Sequence, residues 1–159
     1  MDKNGRLMVG APSESIGVPC ESGWMNAETF LLWLKHFQQH THSSATRPIL
    51  LILDGHGIHK DLNVIQFARD NHIHMLSTPP HTTHKLQPLD RVFFKPFKQA
   101  YGSAAASWMR QNPGARLTDY DVAGLVNMGF TKAARLEIAP KMVAAVQEST
   151  LSIKIFSQI

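Results

Sequence analysis

The chain has a single cysteine, Cys20, among 159 residues. An intramolecular disulfide is therefore excluded, and the composition fits a reducing compartment such as the cytosol or nucleus. No apolar run reaches the roughly 18 residues that a membrane span needs. The polar opening MDKNGRLMVG also lacks the apolar stretch of a signal peptide. The expectation is a soluble intracellular protein with no membrane partner. Charge is sparse at 18% of residues, yet 43% apolar content is enough to build a core, which argues against wholesale disorder. Acids are outnumbered, with 12 Asp and Glu against 16 Lys and Arg, and nine histidines add positive charge when protonated. A net charge of +4 permits an anionic partner without demanding one. The length indicates one domain.

Residues 1–25 carry Gly, Pro and Ser at short intervals without a sustained period and read as a loop-like lead-in. NAETFLLWLKHFQQH then places Phe30, Leu31, Leu34 and Phe37 at helical spacing behind Asn26, a residue suited to cap a helix. The apolar run from Ile49 to Leu53, bounded by Pro48 and Asp54, reads as a buried strand. DLNVIQFARDN puts Leu62, Ile65, Phe67 and Ala68 on one helical side, and HIHMLST gives a second short strand, with His72 and His74 on its polar face. Strand, helix and strand at this spacing form a βαβ unit with parallel strands. Pro88 suits the first turn of a helix carrying Asp90, Phe93, Phe94 and Phe97, and Pro96 is expected to bend or interrupt it. Further on, AAASWMRQN predicts a helix packed through Trp108 and Met109 and ended by Pro113 and Gly114. Another helix opens at Thr118 with Asp119 and Asp121 in its first turn, and Val122, Leu125, Val126 and Phe130 as its expected buried stripe. The closing LSIKIFSQI alternates enough for a strand and carries no chemistry.

In open parallel sheets, functional groups gather beyond the carboxyl ends of the strands. Asp54 stands at the end of the first strand, and PPHTTHKLQPLD, which leads to Asp90, begins at the end of the second. Two carboxylates so placed suit Mg²⁺, a hard cation that keeps several waters and is held by few protein ligands. By spacing alone, Asp54 equally fits a turn or cap, and Asp90 a first-turn acid that favours the helix dipole. His56, His59, His81 and His84 in DGHGIH and HTTH gather around the same place. With Asp54 they form a rival zinc-metallohydrolase reading, though their spacing matches no strong zinc signature. Otherwise they line the acidic pocket. Lys85, Arg91, Lys95 and Lys98 lie beside Asp90 and either track a nucleic-acid backbone or form an ordinary solvated face.

SGWMNAETFLLWLKHF, PILLILDGHGIH, PPHTTHKLQPLDRVFFKPFKQAY, WMRQNP and DVAGL follow one another as consecutive blocks. Together they resemble the DDE superfamily endonuclease domain of pogo/Tigger-type and jerky-like transposases, over roughly residues 8–135. The resemblance implies an α/β, ribonuclease H-like fold, here partial, with a βαβ core and carboxyl-terminal helices. It gives 26–135 as the endonuclease domain and 136–159 as a divergent tail. It also implies Mg²⁺- or Mn²⁺-dependent hydrolysis and transfer of DNA phosphodiesters in the nucleus, with Asp54 as the second acid of the catalytic triad and Asp90 as the third. The family's first acid sits on an opening strand that these residues lack, so the chain is expected to be amino-terminally truncated and catalytically impaired. Loss of that strand and its neighbours leaves residues 49–53 with an unpaired edge. Marginal stability is expected, together with association through that edge, with a second copy or a partner chain. A non-catalytic protein-interaction module is thus the alternative function.

Overall fold

A computed structural model describes residues 5–18, 23–78 and 88–134, together with 140, 141 and 144. The chain divides into two compact units, one of residues 18–87 and one of residues 1–17 with 88–159.

The first unit is built on a parallel pair of strands. Helix α1 (Ala27–Thr41) starts at the expected cap: the Asn26 side chain accepts the Thr29 N–H at 2.8 Å, and the Thr29 hydroxyl oxygen accepts the Asn26 N–H at 2.9 Å. This reciprocal capping box satisfies two donors that a helix start leaves bare. Strands β1 (Ile49–Leu53) and β2 (Ile73–Ser77) run parallel, from Ile49 opposite Ile73 to Leu53 opposite Ser77. Parallel neighbours need a crossover. Helix α2 (Leu62–Asp70) supplies it, capped by the Asp61 carboxylate, which accepts the Asn63 and Val64 N–H groups. Leu34 and Val64 are fully buried between helices and sheet, among Phe30, Leu53, Ala68 and Ile73.

The face that α2 buries is the expected one in part: Ala68 is buried and Phe67 packs against the core, but Val64 joins them and Leu62 does not. Val64 and Ala68 point into the core, whereas Leu62 is 76% exposed. Val64 and Ala68 are one turn apart and lie over the sheet, while Leu62, in the first turn, projects past it. His74 is exposed as expected, but His72 belongs to the turn before the strand, at φ 55°. Among the described residues the sheet has two strands, and the edge of β1 away from β2 pairs with neither.

The second unit is helical. Helix α3 (Pro88–Val92) opens on Pro88, and α4 (Phe94–Gln111) follows after a break at Phe93. The break accommodates Pro96, which has no N–H to give the carbonyl of Val92 and whose ring would collide with it. Pro96 thereby falls in the first turn of α4, where no intrahelical donor is required. The Phe93 N–H bonds to the Leu89 carbonyl and the Phe97 N–H to the Phe93 carbonyl, carrying the chain across. Helix α5 (Asp119–Ala133) begins at Thr118, whose N–H and hydroxyl both donate to Asp121 Oδ2, at 2.9 and 2.7 Å. Those two bonds favour the ionised carboxylate and hold Asp121 below the ordinary carboxylate value.

Helices α4 and α5 pack around Ala104, Ala105 and Leu125, ringed by Tyr101, Trp108 and Leu117. The buried stripe of α5 is Leu125, which was expected, with Gly129 and Ala133 in place of the other large side chains: Val122 and Phe130 are 41% and 44% exposed. Small residues on both helices let the backbones approach closely, and that close approach selects the face. Met109 is half exposed for the same reason, while its neighbour Trp108 packs. The lead-in contributes to this unit through a 3-10 turn at Arg6–Met8, with the Arg6 guanidinium 4.7 Å from the centroid of the Tyr120 ring. The strand expected at 151–159 lies outside the described residues. Helices with a small parallel sheet are consistent with an α/β chain.

Candidate active site

Asp54 follows directly on Leu53, at the carboxyl end of β1, where the Thr78 N–H closes the last bond to the Leu53 carbonyl at 2.9 Å. The chain then turns sharply. Asp54 Oδ1 accepts the His56 backbone N–H at 3.1 Å and meets His59 Nε2 at 3.0 Å. An ionised carboxylate can only accept, so Nε2 is the donor. Both bonds fall on Oδ1 and leave Oδ2 outside them.

His59 reaches Asp54 because a 3-10 turn at Gly57–Lys60 brings its ring back over the strand end. The turn is capped by His56, whose Nδ1 accepts the Ile58 N–H at 3.4 Å. Phe30 of α1 meets the His59 ring edge-on, with centroids 4.4 Å apart. The two partners differ in exposure: the His59 side chain is 10% exposed and that of Asp54 44%. The other nitrogen of His59, Nδ1, is buried with no hydrogen-bond partner among the described residues, as is the Thr78 hydroxyl. The His56 ring lies 6.3 Å from that of His59 and is exposed.

A solvent-reachable carboxylate with one uncommitted oxygen fits a hard divalent cation that keeps most of its water. Among the described residues no three His, Cys, Asp or Glu side chains converge as a metal-binding group. His81 and His84, the other histidines of the zinc reading, lie outside the described residues, as does Lys85. Asp90 stands in the first turn of α3, exposed, in the helical unit, whereas Asp54 belongs to the sheet unit. Arg91 follows Asp90 on α3, and Lys95 and Lys98 are exposed on α4, one turn apart. Phe30 is the residue at this site that sequence reasoning assigned only to the core. Its helical spacing marks it as buried, but nothing in the spacing tells that a histidine ring is what it touches.

Among curated proteins, the chain is 33% identical over 138 residues to the "MFS-type transporter clz9" of Cochliobolus lunatus. The match covers 86% of the chain but 13% of that protein, so the chain spans a small part of its relative. Among the described residues no helix is long and apolar enough to cross a membrane. No solved structure matches the chain. The model of the DDE superfamily endonuclease family matches residues 20–146, a stretch that contains β1, Asp54, His59 and Asp90. The chain belongs to the DDE superfamily endonucleases.

Proposed function

We propose that this chain is a nucleic-acid-processing domain of transposase origin, of the pogo/Tigger and jerky-like kind, with a ribonuclease H-like fold. The observation that carries the reading is Asp54: a part-exposed carboxylate at the carboxyl end of a parallel strand, inside the family match, with both of its hydrogen bonds among the described residues on one oxygen. Asp54 and Asp90 are the second and third acids. Mg²⁺ or Mn²⁺, when bound, supplies an activated water and charge stabilisation for the leaving oxygen. Asp54 offers Oδ2 as a ligand, and Asp90 offers a second carboxylate. Lys95 and Lys98, with Lys85 and Arg91, neutralise phosphates and position DNA without reading its bases. Asp54 and Asp90 account for two of the family's three acids, and on this reading cleavage by these residues alone is impaired. The site of action is the nucleus.

The test pairs duplex-DNA binding at several salt concentrations with nicking of supercoiled plasmid in Mn²⁺. Binding is expected with a salt slope that falls by about 2 when Lys95 and Lys98 are both replaced by Ala, roughly one per phosphate contact. Nicking is expected at the level of Asp54→Asn. Absence of DNA binding even at low salt defeats the nucleic-acid reading. Nicking lost in both Asp54→Asn and Asp90→Asn makes the chain a working enzyme and overturns impairment, whereas nicking indifferent to both removes these acids from the chemistry.

A second reading rests on the β1 edge, which no strand covers among the described residues and where Leu50 is half exposed. It is a protein-interaction module that recruits a second copy or another chain through strand addition. Such a complex survives chelator and both aspartate substitutions; its loss in EDTA counts against this reading.

A further inference from the structure

A buried imidazole with one nitrogen committed to a part-exposed carboxylate and the other left without a partner has a cost that packing alone does not explain. His59 is in that state: Nε2 lies 3.0 Å from Asp54 Oδ1, Nδ1 is buried with no partner among the described residues, and the ring is held edge-on against Phe30. We propose that His59 is a positioning residue for the metal site, holding Asp54 through its Nε2–H so that Oδ2 is presented to a divalent cation.

The geometry supplies the reason. Asp54 follows strand β1 and precedes the turn that begins at Gly55, so the strand holds it on one side only. The His56 N–H tethers Oδ1 but comes from the same turn and moves with it. His59 instead is anchored to α1 through Phe30, so its bond ties the carboxylate to the core of the unit. Two donors on one oxygen fix the plane of the carboxylate and leave the other oxygen free. Groups that orient a metal ligand in this way commonly change metal affinity by about 10- to 100-fold when removed. Phe30 in turn holds the imidazole, which makes α1 part of the site although it carries no ligand.

This inference rests on Asp54 being a metal ligand, and the experiment separates the two. Mn²⁺ binding to the 159-residue chain is measured by the electron paramagnetic resonance of free Mn²⁺, with a thermal melt of each variant as a check on folding. Asp54→Asn is expected to abolish saturable binding. His59→Phe, which keeps a ring on Phe30 but has no donor, and His59→Ala are each expected to weaken binding at least about tenfold. His59→Gln, whose amide nitrogen stands where Nε2 stood, restores affinity to within about threefold of wild type, on the same order-of-magnitude reckoning. His74→Ala, on the exposed strand face, leaves binding unchanged.

Wild-type affinity in His59→Phe overturns the positioning role while Asp54 keeps its own, and loss in His59→Ala alone assigns His59 to packing. Wild-type affinity in Asp54→Asn, or no saturable binding by the wild type, overturns both. An independent readout needs no metal: long-range proton–nitrogen correlation of the His59 ring is expected to show a proton on Nε2. A neutral ring protonated only on Nδ1 could not donate to Asp54 and refutes the inference.

Discussion

Gly124 and Gly129 stand on one helix, α5, and the same substitution is expected to act on them with opposite sign. In a helix interior, Gly→Ala recovers about 0.5–1 kcal/mol, because alanine leaves fewer unfolded conformations to lose. At Gly124 a Cβ meets nothing within 4 Å, so the gain is retained and Gly124→Ala stabilises by that amount. At Gly129 a Cβ would lie 3.1 Å from the Tyr101 nitrogen, 3.2 Å from its Cα and 3.3 Å from the Phe97 ring. Two of those three atoms are helix backbone, which cannot yield without sliding α4 away from α5 and opening the cluster of Ala104, Ala105 and Leu125. Overpacking of this kind costs about 1–3 kcal/mol, more than the propensity gain returns. The two variants should therefore differ by roughly 2 kcal/mol, with wild type between them. A urea titration followed by circular dichroism resolves this, because a slope of about 2 kcal/mol per molar separates the midpoints by about 1 M. A Gly129→Ala variant as stable as Gly124→Ala would show that α4 and α5 do not pack at this distance, refuting the small-residue contact.

Leu34 has no exposure and sits at the centre of the sheet unit, so Leu34→Ala should cost about 2–5 kcal/mol in urea or thermal unfolding; a loss under 1 kcal/mol would place it outside the core. The carboxyl of Asp121 is held below its ordinary value by the Thr118 hydroxyl and N–H. The stability it gives is complete above the unfolded carboxylate value and is lost as pH falls through the lower folded value. Asp121→Asn should accordingly remove part of the acid-side loss of helicity, and an unchanged acid limb would mean that the Thr118 bonds do not persist in solution.

The parts of the fold that were legible in the sequence are those governed by interactions over a few residues. Asn26 announces the start of α1, and Thr118 with Asp121 that of α5, because a cap is completed within a single turn. The run from Ile49 to Leu53 reads as a strand because five consecutive apolar side chains suit a strand covered on both faces, and its end places Asp54. The position of Pro96 likewise foretold a break, since its missing donor and its ring act on the turn just before it.

Which faces are buried was decided only in three dimensions. Counting apolar residues found Ala68 on α2 and Leu125 on α5 but also favoured Leu62, Val122 and Phe130, which are exposed, and passed over Val64, Gly129 and Ala133, which are buried. A helix with apolar residues on several sides has no preferred face of its own, and the shape of the neighbour chooses. The grouping of residues 1–17 with the helices after Pro88 likewise depends on contacts between distant parts of the chain, such as Gly10 against Gly124. At the candidate site, the sequence determined that a carboxylate ends a strand and that histidines follow. That His59 turns back to bond Asp54, with Phe30 behind it, was decided by the tertiary structure, because the ring's direction is set by a helix from another part of the chain.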